Sequence, residues 1–153
     1  MPIHIDHLTH IYMPKTPYEA CAVDDVSLTI EDGEIFSLIG HTGSGKTTLI
    51  QHINGLLKPT RGTVTINGVD VSAPRFPRKK LISMVGLVFQ YPEYQLFEET
   101  VYKDIAFGPK NMDLSPEETE DRIREAAGFL DLDIDRLRDK SPFELSGGEK
   151  RKV

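Results

Sequence analysis

The stretch Gly40-His41-Thr42-Gly43-Ser44-Gly45-Lys46-Thr47, continued by Thr48, decides how this chain is read. It meets the pattern G-x-x-x-x-G-K-[ST] at every fixed position. The residue types follow from the task of holding phosphate. Glycines let the backbone curl until successive N–H groups face one anion, and a helix directly after the loop adds its positive end. Lys46 can reach outer phosphates, and the Thr47 hydroxyl can coordinate Mg²⁺. The flanks agree with this use. Glu34–Gly40, EIFSLIG, is an apolar run that suits a buried strand. Lys46 to about Ile53 suits a helix, closed by Asn54-Gly55. The loop therefore predicts nucleotide phosphate binding.

The rest of the composition is compatible with such a domain. A chain of 153 residues is enough for one ordinary domain, and 39% hydrophobic with 27% charged residues reads as a packed, globular chain. The net charge of −6 offers no broad basic face, so no nucleic-acid partner is expected. The basic run Arg75–Lys80 reads as a solvated helix start. Cys21 is the single cysteine and cannot form an internal disulfide, which fits a reducing compartment. The polar start MPIHIDHLTH lacks the apolar core of a signal peptide, and no apolar run approaches the roughly 20 residues that span a bilayer.

Around the loop, IHIDHL and VSLTI alternate as half-exposed strands do. Glu31-Asp32-Gly33 is a turn, and TVTINGVDV is a hairpin around Asn67-Gly68, the preferred type I′ pair. MVGLVF, Met84–Phe89, is a second candidate for a buried strand, and Pro92 and Pro109 punctuate the chain beyond it. Ser115-Pro116-Glu117-Glu118 opens a helix with a capping box, and Ile123, Ala126, Ala127 and Leu130 recur at helical spacing. Strands thus dominate residues 1–90 and helices dominate about 91–153, with a boundary near Gln90–Gln95. The fold class is α/β.

A second anion site is written at Leu145-Ser146-Gly147-Gly148-Glu149. Ser146 and Glu149 have capping-box spacing, and two glycines leave the first-turn N–H groups uncovered. An ordinary helix start has the same spacing. Behind a phosphate loop at this distance, however, LSGGEKRKV resembles the signature motif of ATP-binding cassette (ABC) ATPases. The resemblance implies a P-loop NTPase fold: a RecA-like core with an N-terminal antiparallel β subdomain and a helical subdomain. It implies ATP and Mg²⁺ as ligands. It further implies a head-to-tail dimer in which the signature of one subunit, in trans, meets the γ-phosphate held by the other. The second ATP-binding subunit is either identical or a paralogue. Gln90 matches the glutamine that touches Mg²⁺ and the attacking water, and Tyr12 matches the aromatic that stacks on adenine, with Tyr18 as a competing candidate and core packing as the plainer role.

Val88–Asn111, VFQYPEYQLFEETVYKDIAFGPKN, is more specific. With GHTGSGKTT and PFELSGG it resembles the ATPases of energy-coupling factor transporters, especially the second of their two subunits, along essentially the whole chain. That resemblance implies an ATPase peripheral to the cytoplasmic face of the membrane, driving uptake of a vitamin or a transition-metal ion. Its partners are a transmembrane coupling subunit and a substrate-binding membrane component. Residues near Tyr91–Glu99 are implied to dock the coupling subunit, with Leu96 and Phe97 as apolar contacts. The alternatives are an ABC ATPase of another importer, of the DNA-repair or chromosome type, or a nucleotide-binding piece that does not hydrolyse.

His4, His7 and His10 are regularly spaced, but strand alternation puts His7 on the opposite face from the other two, so no metal site is expected from them. His41 falls within the phosphate loop. The strand with the catalytic glutamate and the switch histidine of the family are not found in these 153 residues. The chain therefore reads as an N-terminal portion, incomplete at its C-terminus, that leaves apolar sheet surface exposed and turns over little ATP alone.

Overall fold

The computed structural model describes all 153 residues, which form two compact units, Met1–Gly86 and Leu87–Val153. The first is built on one antiparallel sheet. β1 (Ile3–Tyr12) lies between β2 (Ala20–Ile30) and β3 (Arg61–Ile66), and β4 (Val69–Asp70) closes the far edge, giving the order β2-β1-β3-β4. The β3–β4 hairpin has the expected turn. Asn67 and Gly68 both have positive φ, 50° and 73°, and Ile66 pairs with Val69. Two helices complete the unit, α1 (Lys46–Ile53) and α2 (Arg78–Met84). The basic run does begin a helix, which buries only Leu81. Ile5, Leu8, Val23, Leu49, Val64, Ile66, Val71 and Leu81 form its core.

β1 departs from simple alternation. Its register slips between Ile5 and Leu8, between Leu8 and His10, and between His10 and Ile11. His7 and Asp25, whose side chains are hydrogen-bonded at 2.7 Å, both adopt left-handed backbone, at φ 47° and 49°. Opposite this bulge a methyl on Gly62 would lie 2.3 Å from the His7 carbonyl oxygen, so only glycine fits. The slips turn Leu8, Thr9 and His10 inward in succession. Alternation therefore fails to separate the three histidines, and each instead finds its own partner. His4 bonds Thr29, His7 bonds Asp25, and His10 enters the interior.

Two expected strands are corrected. Glu34–Gly40 takes no part in the sheet, and Ile35 and Ile39 are 95% and 92% exposed. Met84 closes α2, and residues 85–89 are unpaired, with Val88 exposed. An apolar run becomes a strand only when a neighbour takes up its N–H and C=O groups, and no segment of this chain does so. The apolar surface expected at these runs is accordingly open.

The second unit is helical. α3 (Val101–Asn111) and α4 (Pro116–Phe129) pack together with the short α5 (Ile134–Leu137), and α6 (Gly147–Lys152) ends the chain. Single 3₁₀ turns occur at Pro92–Tyr94 and Pro142–Glu144. Thr100 caps α3, and Pro109 sits in its last turn rather than ending it. The Ser115–Glu118 capping box is formed as expected, an arrangement in which the serine is worth about 1 kcal/mol. The buried stripe of α4 is Thr119, Ile123 and Ala127, while Ala126 and Leu130 face outward. Val101, Ala106, Ile123, Ala127, Leu132, Ile134, Leu137 and Leu145 make the core.

Candidate functional site

The loop before α1 is shaped by its glycines. Gly43 and Gly45 have φ of 86° and 84°, and Gly45 is the N-cap of α1. At Gly45 the requirement is double: a methyl there would lie 2.1 Å from the Ala22 carbonyl oxygen of β2. Gly40 is also crowded, since a methyl would meet Ser44 Oγ at 2.8 Å. The Gly45 carbonyl accepts the first helical bond, from the Leu49 N–H at 2.8 Å. No side chain caps the helix, so its first N–H groups are not claimed by a cap side chain.

Lys46 Nζ donates to the carbonyl oxygens of Gly40 and His41, both at 2.7 Å, and to Ser44 Oγ at 3.1 Å. The ammonium is therefore held across the curl by oxygens of the loop itself. Ser44 donates its N–H to the His41 carbonyl at 3.2 Å, which tightens the curl. His41 and Thr42 are exposed, with His41 Nδ1 2.8 Å from the Thr42 carbonyl. Thr47 is exposed, whereas Thr48 is buried, and its hydroxyl lies 3.2 Å from Tyr12 Oη. Tyr12 ends β1 with part of its ring exposed, and Tyr18 lies on the β1–β2 connection, 80% exposed.

In the second unit, Gln90 is exposed and its amide reaches only Tyr91 Oη, at 3.5 Å. Beyond it the Asp104 carboxylate accepts from the N–H groups of both Phe97 and Glu98, each at 3.1 Å. This aims the exposed Phe97, whose ring meets Phe107 edge-on at 5.0 Å. Leu96 is half-buried. Sequence reasoning missed Asp104, although an aspartate in the first turn of a helix is a recognisable signal.

Ser146 caps α6 and Glu149 answers it in a complete capping box; Leu145, just before it, is buried in the core, and Gly147 and Gly148 carry no side chain between them. Hydrogen bonds from Ser146, first its hydroxyl and then its backbone, push the Glu149 carboxyl down to about 2, and Arg136 at 2.7 Å adds to the shift. The Arg136–Glu149 contact spans 13 residues, so no local pattern in the sequence signals it. Arg151 Nε lies 3.5 Å from Glu93, tying α6 to the turn after Gln90.

Comparison with known proteins agrees with these features. The family model described as ABC transporter matches residues 23–153. The energy-coupling factor transporter ATP-binding protein EcfA2 of Clostridium tetani is 60% identical over all 153 residues, and that of Clostridium acetobutylicum is 59% identical. The chain spans about half the length of these curated relatives, 53% and 54%. Among solved structures, cbiO1 from Clostridium perfringens, part of the ABC transporter complex cbiONQ, superposes with a TM-score of 0.80 at 32% identity. The match covers 98% of this chain and 57% of that one. A dimeric ATP-binding cassette in a post-hydrolysis state with ADP and Pi gives 0.78 at 26% identity, covering 98% of this chain and 66% of its own. With a glycine-shaped loop whose lysine spans the curl, a capped LSGG helix start and a family match over most of its length, this chain belongs to the ABC transporter family of ATP-binding proteins.

Proposed function

We propose that the chain is the nucleotide-binding part of the motor of an energy-coupling-factor importer. ATP binding and hydrolysis in the whole protein drive uptake of a vitamin or a transition-metal ion through membrane partners. The observation that carries the nucleotide reading is the loop itself: left-handed Gly43 and Gly45, a helix start without a side-chain cap, and an ammonium already held by three oxygens. The importer subtype is supported by identity that extends over all 153 residues to relatives bearing that name.

The residues fit a magnesium triphosphate. Backbone N–H groups of Gly40–Thr48 and the start of α1 hold phosphate oxygens, and Lys46 exchanges loop oxygens for phosphate ones. The exposed hydroxyl of Thr47 suits a hard cation, and Gln90 is assigned a Mg²⁺ contact by resemblance. Bound Mg²⁺ supplies charge neutralisation on the phosphates. Tyr12 stacks on adenine. Ser146, Gly147 and Gly148 with the α6 start close on the triphosphate of a second ATP-binding subunit, in trans. Phe97 and its neighbours dock the transmembrane subunit, so the protein works at the cytoplasmic face of the membrane. No helix of this chain is long and apolar enough to cross a membrane.

Calorimetry on the complete cassette tests the reading. Lys46→Ala abolishes ATP binding, and unchanged affinity would defeat the assignment. Co-purification with a transmembrane subunit tests the importer arm, and DNA-stimulated ATPase activity without such a partner would overturn it.

A further inference from the structure

His52 is the polar residue least expected inside this fold. It lies on α1, 1% exposed, and belongs to a ring of four residues in the first unit, closed by three hydrogen bonds and one aromatic contact. His52 Nδ1 lies 2.7 Å from the Thr48 carbonyl, so this nitrogen is the donor and Nε2 is left to accept. His10 Nδ1 stands 3.0 Å from that Nε2 and 3.1 Å from the Lys58 carbonyl. The His52 Nδ1–H serves the Thr48 carbonyl, and the His10 Nδ1–H is shared between His52 Nε2 and the Lys58 carbonyl. The rings meet edge-on with centroids 4.7 Å apart. His10 in turn meets the Tyr12 ring edge-on at 4.5 Å, and the Tyr12 hydroxyl lies 3.2 Å from Thr48 Oγ1. The ring Tyr12–His10–His52–Thr48 is thereby closed.

Apolar side chains could fill this space at no cost in buried polarity. A buried network contributes direction instead, because its bonds are satisfied in one arrangement only. Here that arrangement ties the last residue of β1 to the helix that opens at Lys46, two residues before Thr48. We infer that His10 and His52 are positioning residues for the nucleotide: through the Tyr12 ring and Thr48 they fix the span between the adenine platform and the phosphate loop. The inference rests on the reading of Tyr12 as that platform. It also gives Thr48 a role through its side chain, which is spent on Tyr12 rather than on phosphate.

The test compares two ligands on the complete cassette with Mg²⁺, by calorimetry. ATP uses both ends of the span, and inorganic tripolyphosphate uses only the loop. His52→Leu weakens ATP about three- to tenfold, the range of one or two lost hydrogen bonds, while the tripolyphosphate affinity stays within about twofold. His52→Gln, which keeps a donor and an acceptor, recovers part of the loss. The pair Tyr12→Phe and Thr48→Val breaks the same ring from its other side without changing core volume much and lowers the ATP-to-tripolyphosphate ratio in the same direction. Tyr12→Ala serves as the reference and weakens ATP about tenfold or more, as lost base stacking does. If Tyr12→Ala leaves ATP affinity unchanged, the adenine reading fails and the inference falls with it. If Tyr12→Ala weakens ATP while His52→Leu and the Tyr12–Thr48 pair keep the wild-type ratio, only the positioning inference is overturned. Equal losses for both ligands also overturn it, because they mark general loosening of the loop.

Discussion

Ser146 and Glu149 bond each other in both directions. The Ser146 hydroxyl oxygen accepts the Glu149 N–H at 3.3 Å, and the Glu149 carboxylate accepts the Ser146 N–H at 3.0 Å and its O–H at 2.7 Å. The start of α6 is thus fixed by its own cap and first turn, with Arg136 holding the carboxylate from α5.

The pH response of this helix start comes from that geometry. The Glu149 carboxyl titrates at about 2, below its ordinary 4.5. A depressed carboxyl stabilises the fold above its unfolded pKa, and the contribution is lost as pH falls through the folded one. The start of α6 is therefore intact above about pH 4.5 and loosens progressively towards pH 2. Carboxyl NMR should show the low midpoint, and Arg136→Ala should move it upward. A Glu149 midpoint at its ordinary value would contradict the capping box.

Gly43 and Gly45 should respond differently to alanine although their φ angles agree within a few degrees. At Gly43 nothing lies near an added methyl, so Gly43→Ala costs only the left-handed penalty of about 1–2 kcal/mol. At Gly45 the same penalty is joined by collision with the Ala22 carbonyl, which only a shift of backbone relieves. Thermal melts should rank Gly45→Ala well below Gly43→Ala, and equal melting temperatures would count against the observed packing.

Asp104 should govern the order of the loop before α3. Asp104→Ala removes the acceptor of two consecutive N–H groups, and hydrogen exchange at Phe97 and Glu98 should speed up while that of the α4 core amides around Ile123 stays slow. If this loop docks a membrane subunit, the same substitution weakens co-purification. Charge reversal at Glu98 and Glu99 tests the neighbouring charges, and intact assembly would remove those two residues from the docking surface.

The exposed run Glu34–Gly40 should make the 153 residues in isolation self-associate and bind an apolar dye, and Ile35→Thr with Ile39→Thr should reduce both. Sedimentation checks the first effect and dye fluorescence the second. ATP turnover by the isolated chain should be negligible.

Features carried by neighbouring residues are readable in the amino-acid order. The Asn67-Gly68 turn, the α1 span and the two capping boxes need only a few adjacent side chains, so their chemistry is local. EIFSLIG and MVGLVF read as strands because their apolar character is local too, but pairing is a property of two segments. Simple alternation misplaces His10 because bulges shift the face a residue occupies, and bulges depend on register with β2 and β3. The contacts of His52 with His10 and of Arg136 with Glu149 give no signal, since they span 42 and 13 residues.

The close approach of Gly45 to Ala22 has a lopsided consequence for how this protein can vary. On the β2 side the contact is made by a main-chain oxygen, which every amino acid possesses, so replacing Ala22 leaves it in place. On the loop side it depends on a missing side chain, which one amino acid alone supplies. This contact should therefore survive substitution at position 22 but almost none at position 45, though the two meet at the same point.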